Sequence, residues 1–193
     1  MMLRNLWKIS SKVTNIDIRK QLIHSCIISR INFCNGLYVS LPKKEIYKLD
    51  KLLKASARFI FNITGIHRRQ PMTPYLQKLH FLPMDLRLKF KICLLVYKCL
   101  NNEAPAYLIS LLQPRNNPNE MSTRLDSDIT WLNKPPVEKT VFKCRSFRHV
   151  APDAWNLLPR EIRESPTADI FKSRLKTFYF KQWVENSRMI SVS

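Results

Sequence analysis

Residues 41–61, LPKKEIYKLDKLLKASARFIF, decide how the rest of the chain is read. Ile46, Leu49, Leu53, Ala57 and Ile60 recur at three- and four-residue intervals. At about 100° per residue they share one side of a helix. Lys44, Lys48, Lys51, Lys54 and Arg58 recur at similar intervals and fall roughly opposite. One face is made to pack, and the other is a basic stripe roughly 20 Å long at about 1.5 Å per residue. Pro42 suits the start of this helix, since its fixed φ fits a first turn and its missing N–H costs nothing there. Gly65 is the expected left-handed terminator. Arg68 and Arg69, in the "HRR" that follows, extend the positive edge.

The same punctuation organises the flanks. Thr14-Asn15 reads as an N-cap with Asp17 in the first turn of a helix running to about Arg30. Its apolar side would be Ile18, Leu22, Ile23, Cys26, Ile27 and Ile31. Thr73-Pro74 starts a short helix through His80, and Pro105 starts another in "PAYLISLL". Pro83 opens "PMDLRLKFKICLLVYKCLNN", whose second half is apolar almost all round and belongs inside a bundle. Ser165-Pro166 begins a final helix with Phe171, Leu175, Phe178, Tyr179 and Trp183 on its apolar face and Lys172, Arg174, Lys176 and Lys181 around them. Between these helices, the polar "QPRNNPNEMSTRLDSD" from Gln113 reads as an exposed loop. "DITWL" and "TVFKCRSF" have strand character and suggest one small β-hairpin near 129–147. Two glycines beside 12 prolines also favour helices over strand-turn architecture. The expectation is a mainly α fold, a helical bundle over 1–112, a loop with the hairpin over 113–150, and a Trp-containing segment with the C-terminal helix over 151–193.

With 45% hydrophobic residues the chain can bury a core. Its 33 Lys and Arg against 14 Asp and Glu give a formal charge of +19. So large a charge repels itself in a compact state and asks for an anionic partner, most commonly nucleic acid, or for acidic neighbouring domains. The stripe from Lys44 to Arg58 meets the requirement for phosphate binding, several cations on one accessible face; a merely solvated helix face is the other reading. The scarcity of Glu along that face favours phosphate. Trp131, Phe142 and Phe147 either stack on bases or pack.

Catalytic patterns are missing. Asp126 and Asp128 sit in the polar loop, whereas two-metal chemistry needs acids on neighbouring rigid strands. Glu161 and Glu164 lie beside Arg160 and Arg163 and read as local ion pairs. His24 with Cys26, His67, His80 and His149 are flanked by no nucleophile motif, and His80 between Leu79 and Phe81 reads as a packing residue. There is no GxxxxGK[ST] or GxGxxG cradle, no CxxC, and no zinc-ligand spacing among the five cysteines. Cys93 and Cys99 read as buried free thiols, which suits a reducing compartment, nucleus or cytoplasm. The N-terminus lacks a signal-peptide core, and "ICLLVY" is too short to span a bilayer. No catalytic residue, metal, cofactor, small-molecule substrate or membrane contact is expected.

"HVAPDAWNLLPREIRES" followed by "FKSRLKTFYF" resembles the C-terminal end of non-LTR (LINE-type, jockey-like) retrotransposon reverse transcriptases. The resemblance continues upstream through "ISRINFCNGLY", "LPKKEIYKLDKLLKASARFIF" and "MTPYLQKLHFLPMDLRLKFKICLLVYKCLNNEAPAYL", in order and over nearly the whole chain. It implies the post-palm region of such an enzyme, a thumb-like helical bundle and tail that grip template and primer. The partner would be RNA or the backbone of an RNA–DNA or DNA duplex, held without base specificity by Lys44, Lys48, Lys51, Lys54, Arg58, Arg68 and Arg69. The family's aromatic-x-Asp-Asp signature, endonuclease and Cys/His knuckle are not in this sequence, so the resemblance is to a non-catalytic tail cut off after the active site. The alternative is an interaction module that binds a protein or itself through surface the palm would cover. Trp155, Leu157 and Leu158, between Pro152 and Pro159, would anchor the last helix; burying Trp155 is worth about 3 kcal/mol or more.

Overall fold

The computed structural model describes residues 2–8, 13, 15–33, 35–64, 70–114, 131–136 and 146–192. These are mainly helical. In chain order they form α1 (Met2–Lys8), α2 (Ile16–Ile23), a π-helical turn (His24–Ile28), α3 (Ser29–Asn32), a 3-10 segment (Asn35–Ser40), α4 (Lys43–Ile60), α5 (Thr73–Lys78), α6 (Met84–Leu100), α7 (Ala106–Ile109), α8 (Phe147–Asn156), α9 (Arg160–Arg163) and α10 (Ala168–Val192). The chain divides into two compact units, Met1–Leu86 with Phe180–Ser193, and Arg87–Tyr179. Both α6 and α10 contribute residues to each.

In the first unit Asn15 caps α2, its Oδ1 accepting from the Asp17 N–H at 2.7 Å. Helical backbone then runs unbroken to Asn32 through the π turn, where the Ser29 N–H reaches His24 O. The buried side is Arg19, Ile23, Ile27, Ile28 and Ile31, and Ile18 is exposed. The apolar face expected to include Ile18 is therefore rotated, because the π turn inserts an extra residue and brings Ile27 and Ile28 inward together. Arg19 is buried because its donors are used. Its Nε donates to Val13 O at 2.6 Å and its Nη1 to Phe59 O at 3.1 Å. Phe59 is fully buried, with the Trp7 ring edge-on at 5.5 Å and the Arg19 guanidinium 5.6 Å from its centroid. A cation at the last turn of α4 also complements the negative end of that helix.

α4 closes in a Schellman motif. Phe61 is the C-cap, Asn62 takes the left-handed conformation at φ 53, the Asn62 N–H donates to Phe59 O, and the Ile63 N–H donates to Arg58 O at 2.9 Å. The terminator is thus Asn62 rather than Gly65, which lies outside the described residues. His80 (φ 52) and Asn102 (φ 57) end α5 and α6 in the same way, with Phe81 N–H to Leu76 O and Glu103 N–H to Lys98 O. Ala57, Ile63, Met72 and Leu76 form a buried cluster, covered by Phe61, Tyr75, Leu79, Phe81 and Trp183.

In the second unit α6 presents Leu88, Ile92, Cys93, Val96, Tyr97 and Cys99 to the interior, as expected of a helix apolar on most sides. Tyr97 stacks on Phe171 at 4.3 Å and donates its hydroxyl to Ser165 O at 2.7 Å. Trp155 is buried 5.8 Å from the same Phe171 ring, and Leu175 and Tyr179 complete that face of α10. Trp155 and Leu158 pack inward, whereas Leu157 is 75% exposed, so only two of the three expected anchors serve. The reversal follows from the turn after α8, where consecutive residues point to opposite sides. Pro152 lies inside α8 and does not limit it. The cap of α10 is Thr167, whose Oγ1 accepts from Ile170 N–H, while Ser165 is buried with its hydroxyl donating to Ile162 O.

No strand occurs among the described residues, and the hairpin expected near 129–147 is not seen. Phe147, at the end of its second strand, opens α8 behind Ser146 as N-cap. Leu132, on its first strand, makes an isolated antiparallel bridge with Pro114, supported by Asn133 N–H to Gln113 O at 2.8 Å. The Leu132 backbone is held on its other side by the amide of Asn156, which accepts from Leu132 N–H at 3.1 Å and donates to Leu132 O at 2.9 Å. A helix side chain does there what a partner strand would do. The rest of the hairpin lies outside the described residues.

Candidate nucleic-acid interface

The basic stripe rests on how α4 is held. Leu53, Ser56, Ala57, Phe59 and Ile60 are buried, and Ile46 and Leu49 are half-buried. That fixes the rotation of the helix. Lys44, Lys48 and Lys51 are exposed on the side away from Leu53 and Ala57, and Lys54 and Arg58 are half-exposed beside them. Fourteen residues separate Lys44 from Arg58, about 21 Å of helix axis. Arg68 and Arg69 lie outside the described residues, so only the α4 part of the edge is placed.

The acids differ from expectation. Lys48 Nζ meets Glu45 Oε1 at 2.8 Å and Lys54 Nζ meets Asp50 Oδ2 at 2.8 Å. The sequence suggests a face poor in acidic partners, but Glu45 and Asp50 flank it at helical i,i+3 and i,i+4 spacings. An exposed pair such as Lys48–Glu45 is worth about 0.2–1 kcal/mol. Lys48 is 62% exposed and is readily surrendered to a phosphate; Lys54 beside the 18% exposed Asp50 is more firmly kept. Among the described residues Lys44, Lys51 and Arg58 pair with no acid, and Arg58 Nε is buried without an acceptor. Overall α4 carries six basic and two acidic residues.

Tyr47 belongs to this face and was missed in the sequence. It is 55% exposed, one turn from Lys44 and Lys51, and the Lys51 ammonium sits 4.6 Å from its ring centroid. Its signal was simple: position 47 continues the 44, 47, 51, 54, 58 spacing of the stripe. The aromatics singled out earlier are engaged elsewhere or unplaced. Trp131 lies under the Arg163 guanidinium at 4.2 Å, Phe147 is half-buried in α8, and Phe142 is outside the described residues.

Cys93, Tyr179 and His149 are locked in structure. Cys93 Sγ lies 3.6 Å from Ala154 O and 3.4 Å from Tyr179 Oη, and burial pushes its thiol up to about 11. Tyr179 is raised by the same burial and by its thiol neighbour. His149 is buried, its Nδ1 3.1 Å from Ser146 Oγ and its Nε2 3.4 Å from Pro136 O. The contact joins the side chains of the cap and third residues of α8 and ties His149 to the Pro136 carbonyl. His80, expected to be packed, is exposed at its left-handed position with its ring 5.2 Å from Phe180. The Arg160 and Glu164 pair is present at 2.6 Å. Among the described residues Cys26, Cys93 and Cys99 are free thiols, and no group of three His, Cys, Asp or Glu could hold a metal. Asp126 and Asp128 lie outside those residues. No described helix is long and apolar enough to cross a membrane.

Comparison with protein-family models, with curated proteins and with solved structures gave no match.

Proposed function

We propose that this chain binds nucleic-acid backbones without base specificity and without catalysis, as the thumb-like C-terminal region of a non-LTR retrotransposon reverse transcriptase would. One observation carries the reading. α4 buries one side in the core of its unit and leaves Lys44, Lys48 and Lys51 exposed on the other, with Lys54 and Arg58 half-exposed beside them. Five cations over about 21 Å stand about 5 Å apart along the axis, against a phosphate spacing of about 3.4 Å along one strand of a duplex, so each lysine stem can reach a separate phosphate. The order of sequence blocks supports the family, and free buried thiols fit a reducing compartment, nucleus or cytoplasm.

Fluorescence anisotropy with a labelled RNA–DNA hybrid tests this. With three to five phosphates neutralised, log K against log salt should fall with a slope of about −3 to −4.5. Replacing Lys48, Lys51 and Lys54 together by Glu should abolish most binding while leaving helix content unchanged by circular dichroism. Binding that survives those reversals refutes the assignment of the stripe. Salt-insensitive self-association in sedimentation, with no nucleic-acid binding, would instead favour an interaction module.

A further inference from the structure

Resting on that reading, we infer that Tyr47 is a base-stacking platform and that the stripe prefers single strands. Tyr47 is the exposed aromatic in the middle of the stripe, with Lys44, Lys48 and Lys51 at −3, +1 and +4. The Lys51 ammonium covers one side of its ring at 4.6 Å, which holds the ring in place and leaves the rest of its exposed surface to a ligand. A tyrosine has only two side-chain torsions to order, so little freedom is lost when a base settles on it. Every base has a π-face, so such stacking carries no sequence information and matches a site built from phosphate-binding lysines.

Geometry selects the strand state. A duplex keeps its base faces inside the stack and offers a helix only phosphates and base edges, never a π-face. A single strand can splay one base outward. Once a base is on Tyr47, the phosphates on either side fall towards Lys44 and Lys51, each about one helical turn away and on flexible four-carbon stems. Lysines alone would bind the more densely charged duplex better. The aromatic among them reverses that order.

The test compares a fluorescein-labelled oligothymidylate with a duplex of equal length, both titrated with the full chain. Tyr47→Ala should weaken single-strand binding about tenfold, the effect of losing one stacked base. It should leave duplex affinity and both salt slopes unchanged, and Tyr47→Phe should restore the single-strand affinity. Single-strand affinity changed by less than about twofold in Tyr47→Ala overturns the inference, as does equal loss on single strand and duplex. The Lys48, Lys51 and Lys54 reversals serve as the separate arm. If they abolish binding while Tyr47→Ala does nothing, the stacking inference falls and the backbone-binding reading stands. If they change neither ligand, both fall.

Discussion

Asn62 offers a perturbation whose size can be worked from the backbone. It holds φ 53 at the end of α4, where its N–H and that of Ile63 close the last turn on Phe59 O and Arg58 O. Asn62 itself is exposed, while Ile63 enters the cluster of Ala57, Met72 and Leu76. Substitution therefore changes mainly the cost of the left-handed conformation, which for an L-residue is about 1–2 kcal/mol. Asparagine adopts it at lower cost, glycine at almost none, and a β-branched residue at the full cost. Part of the gain from glycine is returned through the greater freedom of the unfolded chain. Asn62→Gly should therefore stabilise by roughly 0.5 kcal/mol, Asn62→Ala destabilise by about 1 kcal/mol, and Asn62→Val by about 1.5–2 kcal/mol. Urea unfolding followed by circular dichroism and tryptophan fluorescence reads this directly, since Trp183 packs on the cluster that Ile63 joins. With a slope on the order of 1 kcal/mol per molar urea, valine and glycine should differ by about 2 M in midpoint. Midpoints that coincide, or a valine variant as stable as the glycine one, would refute the assignment of the helix terminator. Glycine should likewise be tolerated at Asn102, which holds the same conformation.

Two neighbours and one thiol supply the other checks. Leu158→Ala should cost about 2–5 kcal/mol, the price of a buried leucine cavity, and Leu157→Ala within about 0.5 kcal/mol of nothing, both by urea unfolding; equal effects would contradict the inward turn of Leu158. Cys93 gives a pH dependence whose sign is fixed. Its thiol is raised from 9.0 to about 11 in the fold, so the unfolded chain loses that proton first. The associated stability is fully present below pH 9 and is lost as pH rises towards 11. Across that window the wild type should lose on the order of 1–3 kcal/mol more than Cys93→Ala, measured by denaturant midpoints at each pH; parallel curves would argue against a buried, protonated thiol.

Local chemistry made much of this legible. Asn15 before Ile16, Pro42 before α4, Pro74 in α5 and Pro105 before α7 act through their nearest neighbours, so their meaning survives without tertiary context. The split of α4 into a packed and a basic side is likewise a matter of spacing within eighteen residues. Other features needed the fold. The π turn re-indexed α2 and hid Arg19, although its four-residue register with Ile23, Ile27 and Ile31 was in view. Gly65 seemed the natural left-handed residue because glycine is the default there, yet Asn62, His80 and Asn102 all take that conformation, which is how three helices end this way in a chain with two glycines. Strand propensity around Leu132 was outvoted by Asn156, a contact across 24 residues. At the interface, Glu45 and Asp50 were readable as i,i+3 and i,i+4 partners. Tyr47 was readable too, on the stripe's own spacing.

The seam at Leu132 bears on how this chain can tolerate change. Pro114 and Leu132 are bridged, Asn133 is tied to Gln113, and Asn156 grips the Leu132 peptide from the helix. Gln113, Pro114, Leu132 and Asn133 are thus tied to one another and to α8. Once such ends are pinned, doubling the number of residues between them costs only about 0.6 kcal/mol in closure entropy. Lengthening the chain between Pro114 and Leu132 should therefore cost about that much and leave Trp155 and Phe171 in place.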